Sequence, residues 1–104
     1  MKENKVAIVT GASRGIGNAI ATRLAAEGYA IVAVGTSALE SIKQNFAGVE
    51  QAGQPWIYVQ ADVSTVAGRE SIIAAAMEKF HRIDVLVNNA GVAPKVRMDL
   101  LETT

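Results

Sequence analysis

An α/β fold built on a doubly wound parallel sheet, with strand order 3-2-1-4 and helices on both faces, is the architecture this sequence predicts. Three observations point to it. Short apolar runs alternate along the chain with stretches of helical periodicity, the pattern of successive βαβ units. Those runs lack polar alternation, as strands covered on both faces do. A glycine-rich turn joins the first run to the first helical stretch, and such turns sit where the strand order of an open sheet reverses.

Each element has its own signal. Val6-Ala7-Ile8-Val9 is the first strand. Ile16, Ile20 and Leu24 then recur at four-residue spacing, with Ala21 and Ala25 beside them, and mark a helix that Gly28 ends. Ala30-Ile31-Val32-Ala33-Val34 is the second strand, and Leu39, Ile42, Phe46 and Val49 mark one face of a second helix that ends near Gly53-Gln54-Pro55. Trp56-Ile57-Tyr58-Val59-Gln60-Ala61 is the third strand. The helix after it carries Val66, Ile73, Met77 and Phe80 at helical spacing, with Ser64 or Thr65 as its cap. Asp84-Val85-Leu86-Val87-Asn88 is the fourth strand, followed by a loop over 89–98 and a helical turn beginning at Asp99.

No linker or low-complexity tract divides residues 1–104, so they read as the N-terminal part of one domain. With glycine counted and tyrosine left out, about 57% of the residues are apolar, against a usual ~45–50%. A core this rich suits a larger body. Val85-Leu86-Val87 has none of the charge, proline or bulge that blunts an exposed sheet edge. A further strand is expected to cover it, which makes this chain part of a longer polypeptide, truncated after strand four.

Ten basic and ten acidic side chains cancel without clustering, so the electrostatic footprint of a nucleic-acid binder is missing. The absence of cysteine removes disulfides and thiolate metal sites and agrees with a cytoplasmic location. The first apolar run is too short for a signal segment or membrane span. No cluster of His, Asp or Glu has metal-ligand spacing. Neither a nucleic acid, a membrane nor a metal is expected as a partner.

The chemistry of the turn is that of an anion cradle. Gly11 allows a sharp exit from the strand, while Gly15 and Gly17 keep side chains away from an approaching pyrophosphate. The unpaired N–H groups and positive dipole end of the helix then face the anion. The segment Thr10-Gly11-Ala12-Ser13-Arg14-Gly15-Ile16-Gly17 resembles the cofactor signature of the short-chain dehydrogenase/reductase family nearly residue for residue. Asp62-Val63, after strand three, looks like that family's adenine-contacting pair, and Asn88-Asn89-Ala90-Gly91 like its second signature. The resemblance runs the length of the chain and implies a Rossmann-type dinucleotide site. It would be made by Gly11, Ala12, Ser13, Arg14, Gly15, Ile16, Gly17, Thr36, Asp62, Val63, Asn89, Ala90 and Gly91.

Sites selective for NAD place a carboxylate at the end of strand two to hold the ribose 2′-OH. Here that stretch is Val34-Gly35-Thr36-Ser37-Ala38, without a carboxylate, and Arg14 supplies a cation in the turn. NADP(H) is therefore expected over NAD(H), and Gly35→Asp is the substitution that should move usage toward NAD.

The family's hydride transfer uses a Tyr with a Lys four positions later, a Ser and an Asn. Neither tyrosine here fits, since Ala33 follows Tyr29 and Asp62 follows Tyr58 at that spacing. Both read as packing residues, as does Trp56, and His81 as a helix-end charge. No catalytic residue is expected in this chain. The resemblance implies a parent oxidoreductase, homo-oligomeric, that passes hydride between NADPH and a carbonyl or alcohol. The turn is closest to that of 3-oxoacyl-acyl-carrier-protein reductases. The alternative is a non-catalytic dinucleotide-binding or redox-sensing module.

Overall fold

A computed structural model describes residues 4–13 and 15–89. Four parallel strands, β1 (Val6–Thr10), β2 (Ala30–Gly35), β3 (Trp56–Gln60) and β4 (Val85–Val87), form one sheet in the order β3-β2-β1-β4. This is the expected order, and β1 and β2 are buried along their whole length. Helix α1 (Gly15–Ala26) links β1 to β2, and α4 (Val66–Phe80) links β3 to β4. Between β2 and β3 lie α2 (Leu39–Ile42), a 3₁₀ turn (Lys43–Phe46) and α3 (Ala47–Gln51).

Strand alternation sends side chains to two layers. Ala7, Val9, Ile31, Ala33 and Val87 pack with Ala21 and Ala25 of α1, Phe46 and Val49. Val6, Ile8, Val32 and Val34 pack with Ile72 and Ala76 of α4. The β1–β4 pair is pinned at both ends by side chains. At its start the Val6 N–H donates to Asp84 Oδ2 (2.8 Å) while the Asp84 N–H donates to the Val6 carbonyl (2.9 Å). At its end the buried Thr10 hydroxyl lies 3.3 Å from the Val87 carbonyl and accepts from the Asn89 N–H at 2.8 Å.

The helices bury different faces from those their largest apolar residues suggest. In α1 the buried residues are Gly17, Ala21 and Ala25. Small residues let the helix axis approach the sheet, so Ile20 and Leu24 pack from the flank and Ile16 stays 62% exposed. In α4 the buried residues are Ile72 and Ala76, whereas Val66, Ile73 and Met77 remain exposed. Phe80 packs against the core from its edge. Thr65 rather than Ser64 caps α4, its Oγ1 accepting from the Gly68 N–H at 2.9 Å.

The single second helix is not formed. The 3₁₀ turn interrupts it and brings Phe46 against Trp56 and Tyr58, at centroid separations of 5.0 and 5.6 Å. One continuous helix would stack Leu39, Ile42, Phe46 and Val49 on a single stripe, but the sheet fully buries only Phe46 and Val49. Gly48 then lets α3 meet α1, because a Cβ there would lie 2.9 Å from Thr22 Cγ2. No helix among the described residues is long and apolar enough to cross a membrane.

Candidate functional site

The turn leaves β1 at Gly11, whose φ of +62° is the left-handed conformation that glycine adopts without strain. The buried Ala12 fastens it to the sheet, its N–H donating to the Val34 carbonyl at 3.0 Å. Gly15, at φ +64°, opens α1, and a Cβ added there would meet nothing within 4 Å. Gly17 is the opposite case. A Cβ there would lie 2.7 Å from the Gly11 carbonyl carbon, nearer still to its oxygen, and 2.8 Å from Asn89 Nδ2. Gly17 thus closes the turn onto α1 and β4, while Gly15 leaves open space before it, the shape a phosphate cradle needs.

The ends of the other strands converge on the same place. Thr36 is exposed just past β2. The Tyr58 hydroxyl donates to the Ser37 carbonyl at 2.6 Å and holds that connection down, and burial pushes the Tyr58 phenol pKa up. Tyr58 also bears on the choice of Gly35 for an acidic substitution. A Cβ on the buried Gly35 would stand 2.6 Å from Tyr58 Oη, so a side chain there must displace that hydroxyl, whereas the neighbouring Thr36 is exposed and takes a carboxylate without such a shift.

After β3, Asp62 Oδ1 accepts from the Ser64 hydroxyl (2.6 Å) and N–H (2.9 Å), closing a tight local turn. Those bonds hold the exposed Asp62 carboxyl below its ordinary pKa, the hydroxyl contributing most. The turn rests on Gly68, where a Cβ would lie 2.8 Å from the Asp62 carbonyl carbon and 2.8 Å from Thr65 Oγ1. The two crossover helices α1 and α4 therefore begin alike. Each carries a glycine in its first turn that admits the backbone of the preceding loop.

A cleft of about 460 Å³ results, lined by Gly11, Ser13, Val34, Gly35, Thr36, Ala61, Asp62, Val63, Ser64 and Asn89. Of the expected site residues, Gly11, Ser13, Thr36, Asp62, Val63 and Asn89 line it directly. Ala12 is buried beneath the turn and Gly17 behind it. Gly15 and Ile16 open α1 and are not among the cleft residues. Arg14, Ala90 and Gly91 lie outside the described residues. The sequence pattern pointed to Gly35 only as the place for an acidic substitution and passed over Val34, Ala61, Ser64 and Gly68 as site residues. It also missed the joining role of Thr10, whose hydroxyl lies 3.2 Å from Asn88 Oδ1 and connects the turn to the Asn88-Asn89 segment. Only the spacing of Gly68 three residues after the Thr65 cap could have signalled the second close approach.

A parallel sheet with a cleft at the carboxyl ends of its strands, where β1 and β4 reverse the order, is the Rossmann-type nucleotide-binding architecture. The chain belongs to the short-chain dehydrogenase family, whose sequence profile matches residues 5–104. An uncharacterized oxidoreductase of Methylorubrum extorquens is 47% identical over 90 residues, covering 86% of this chain and 36% of that protein. A 1,6-dihydroxycyclohexa-2,4-diene-1-carboxylate dehydrogenase of Acinetobacter baylyi is 42% identical, covering 88% and 34%. The crystal structure of carveol dehydrogenase from Mycobacterium avium in complex with NAD matches with a TM-score of 0.77 at 30% identity, covering 91% of this chain and 38% of the other. The chain spans about a third of the length of these curated relatives.

Proposed function

We propose that this chain forms the cofactor half of an oxidoreductase that moves hydride between a nicotinamide dinucleotide and a carbonyl or alcohol. The observation that carries the reading is the convergence of Gly11, Thr36, Asp62 and Asn89, from the ends of all four strands, on one cleft. The pyrophosphate would lie against the turn at the α1 N-terminus, where N–H groups and the helix dipole favour negative charge. The adenosine end would lie toward Thr36 and Asp62-Val63. A bound dinucleotide would give or take the hydride, and this chain's residues would bind and orient it. Thr10 and Asn89 keep the β4 end against the turn, on the side where the nicotinamide would extend.

NADP(H) is the favoured form. The M. avium relative holds NAD, but here the stretch after β2 carries no carboxylate, Thr36 leaves an uncharged exposed position, and Arg14 supplies a cation in the turn. Oligomerisation and a cytoplasmic location belong to the same proposal. A 3-oxoacyl thioester is the substrate to try first, on the likeness of the turn.

Titration of the intact protein with NADPH and NADH, with and without Thr36→Asp, tests the cofactor reading. A carboxylate about 4 Å from a 2′-phosphate repels it by several kcal/mol at an effective dielectric near 20. Solvent and salt screening at the exposed Thr36 cuts that repulsion, so NADPH affinity should fall by about tenfold or more, while NADH affinity holds or rises. Unchanged NADPH binding in the variant would sink the NADP assignment, and failure of the unmodified protein to bind either dinucleotide would sink the function.

A further inference from the structure

The glycine turn is gripped from behind by two asparagines that no signature includes. Asn18 Nδ2 donates to the Ala12 carbonyl (3.1 Å) and to the Asn45 carbonyl (2.9 Å). Asn45 Nδ2 donates to the Ser13 carbonyl at 2.6 Å. All three acceptors are carbonyl oxygens, so each side chain must present its NH₂ group there rather than its own oxygen. We infer that Asn18 and Asn45 form a clamp that sets the peptide orientation of the turn, making both positioning residues for the pyrophosphate. This rests on the dinucleotide reading above.

The physical reason is the polarity of the peptide unit. Two carbonyl oxygens facing an anion would repel it, whereas N–H groups attract it. The described peptides are all trans, so the N–H on the far side of each peptide opposes its carbonyl. With the Ala12 carbonyl held by Asn18, the Ser13 N–H faces away from that helix, and Ser13 lines the cleft. The Asn45 bond removes the Ser13 carbonyl from the cleft in the same way. The break in the second crossover segment contributes, because Asn45 sits within the 3₁₀ turn and its carbonyl is directed to Asn18. The segment between β2 and β3 thereby orients the turn after β1 as well as covering the sheet.

The test compares Asn45→Ala and Asn18→Ala in the intact protein, using NADPH, ADP and adenosine as probes and urea unfolding to follow stability. Loss of the clamp should weaken NADPH and ADP about five- to tenfold, the scale of one or two lost hydrogen bonds. Adenosine, which has no pyrophosphate, should bind within twofold of the parent. Parallel weakening of adenosine and ADP would show general loosening and overturn the clamp. Unchanged ADP and NADPH affinities in both variants, with binding by the parent protein intact, would overturn it while leaving the dinucleotide reading standing. No dinucleotide binding by the parent would remove both.

Discussion

Gly17→Ala adds one methyl group at the tightest point of the site. The new Cβ would stand 2.7 Å from the Gly11 carbonyl carbon and 2.8 Å from Asn89 Nδ2, both under the 3.0 Å that real Cβ atoms essentially never breach. One obstacle is backbone, so side-chain rotation cannot relieve it: the turn must move outward or α1 must slide. Overpacking of this kind costs about 1–3 kcal/mol, and alanine's better helix propensity returns about 1 kcal/mol. A net loss of up to about 2 kcal/mol is expected in urea unfolding. Binding should suffer as well, because the displaced group is the cradle itself. NADPH affinity should fall about tenfold or more, the scale of one lost hydrogen bond to a charged group. Gly15→Ala is the control for the unfolding measurement alone: its methyl meets no protein atom within 4 Å and adds only the strain of φ +64°, about 1–2 kcal/mol, but it enters the open space of the cradle and should weaken binding as well. Isothermal titration and urea unfolding of both variants decide the matter. A Gly17→Ala protein that binds NADPH within threefold of the parent would refute the close-approach argument.

Two other outcomes follow from the pins on the β1–β4 pair. Thr10→Val keeps the shape of the buried side chain but removes the hydroxyl that accepts from the Asn89 N–H. It should cost about 1–3 kcal/mol in urea unfolding, while Thr10→Ser retains most of the stability. A Thr10→Val protein as stable as the parent would remove the joining role. Asp84 should give an acid-side dependence. The Arg82 side chain bonds the carboxyl and lowers its pKa below the ordinary 3.8; burial opposes this, and the Val6 N–H and the charges of Arg82 and Lys5 add to the lowering. A carboxyl with a depressed folded pKa contributes stability above its unfolded value, lost as pH falls through the folded one. The parent's advantage over Asp84→Asn should be roughly 1 kcal/mol near neutrality, discounted because Asp84 and Arg82 are 23% and 37% exposed. Unfolding series from pH 7 to pH 2 should show that advantage shrinking below about pH 4, and a constant difference throughout would contradict the assignment.

Much of the site was legible because it depends on backbone freedom and order along the chain. Glycines at 11, 15 and 17 between an apolar run and a helical stretch point to the proposed phosphate turn without coordinates, since few other residues suit those positions. The faces of the helices were less legible. Periodicity weighs Ile16, Ile73 and Met77 by size, but burial follows which residues permit close approach to the sheet, and Gly17, Ala21 and Ala76 win that competition. The break at 43–46 was hidden for a related reason: Leu39, Ile42, Phe46 and Val49 satisfy helical spacing, and only Trp56 and Tyr58 on a distant strand draw Phe46 out of a regular helix.

By itself the amino-acid order pointed to the strands, their order in the sheet, the strand edge that carries the candidate site and the family resemblance, all of which rest on local periodicity and short-range turn chemistry. Tertiary structure alone decided that Asn18 and Asn45 grip the turn, that Thr10 and Asp84 pin β1 to β4, that Gly68 mirrors Gly17, and that the Tyr58 hydroxyl stands over Gly35. Each of these joins residues remote in the chain or depends on an ångström-scale approach. A hydrogen bond or a missing methyl group acts over about 3 Å, and residues dozens of positions apart come within that distance only when the sheet has brought them together.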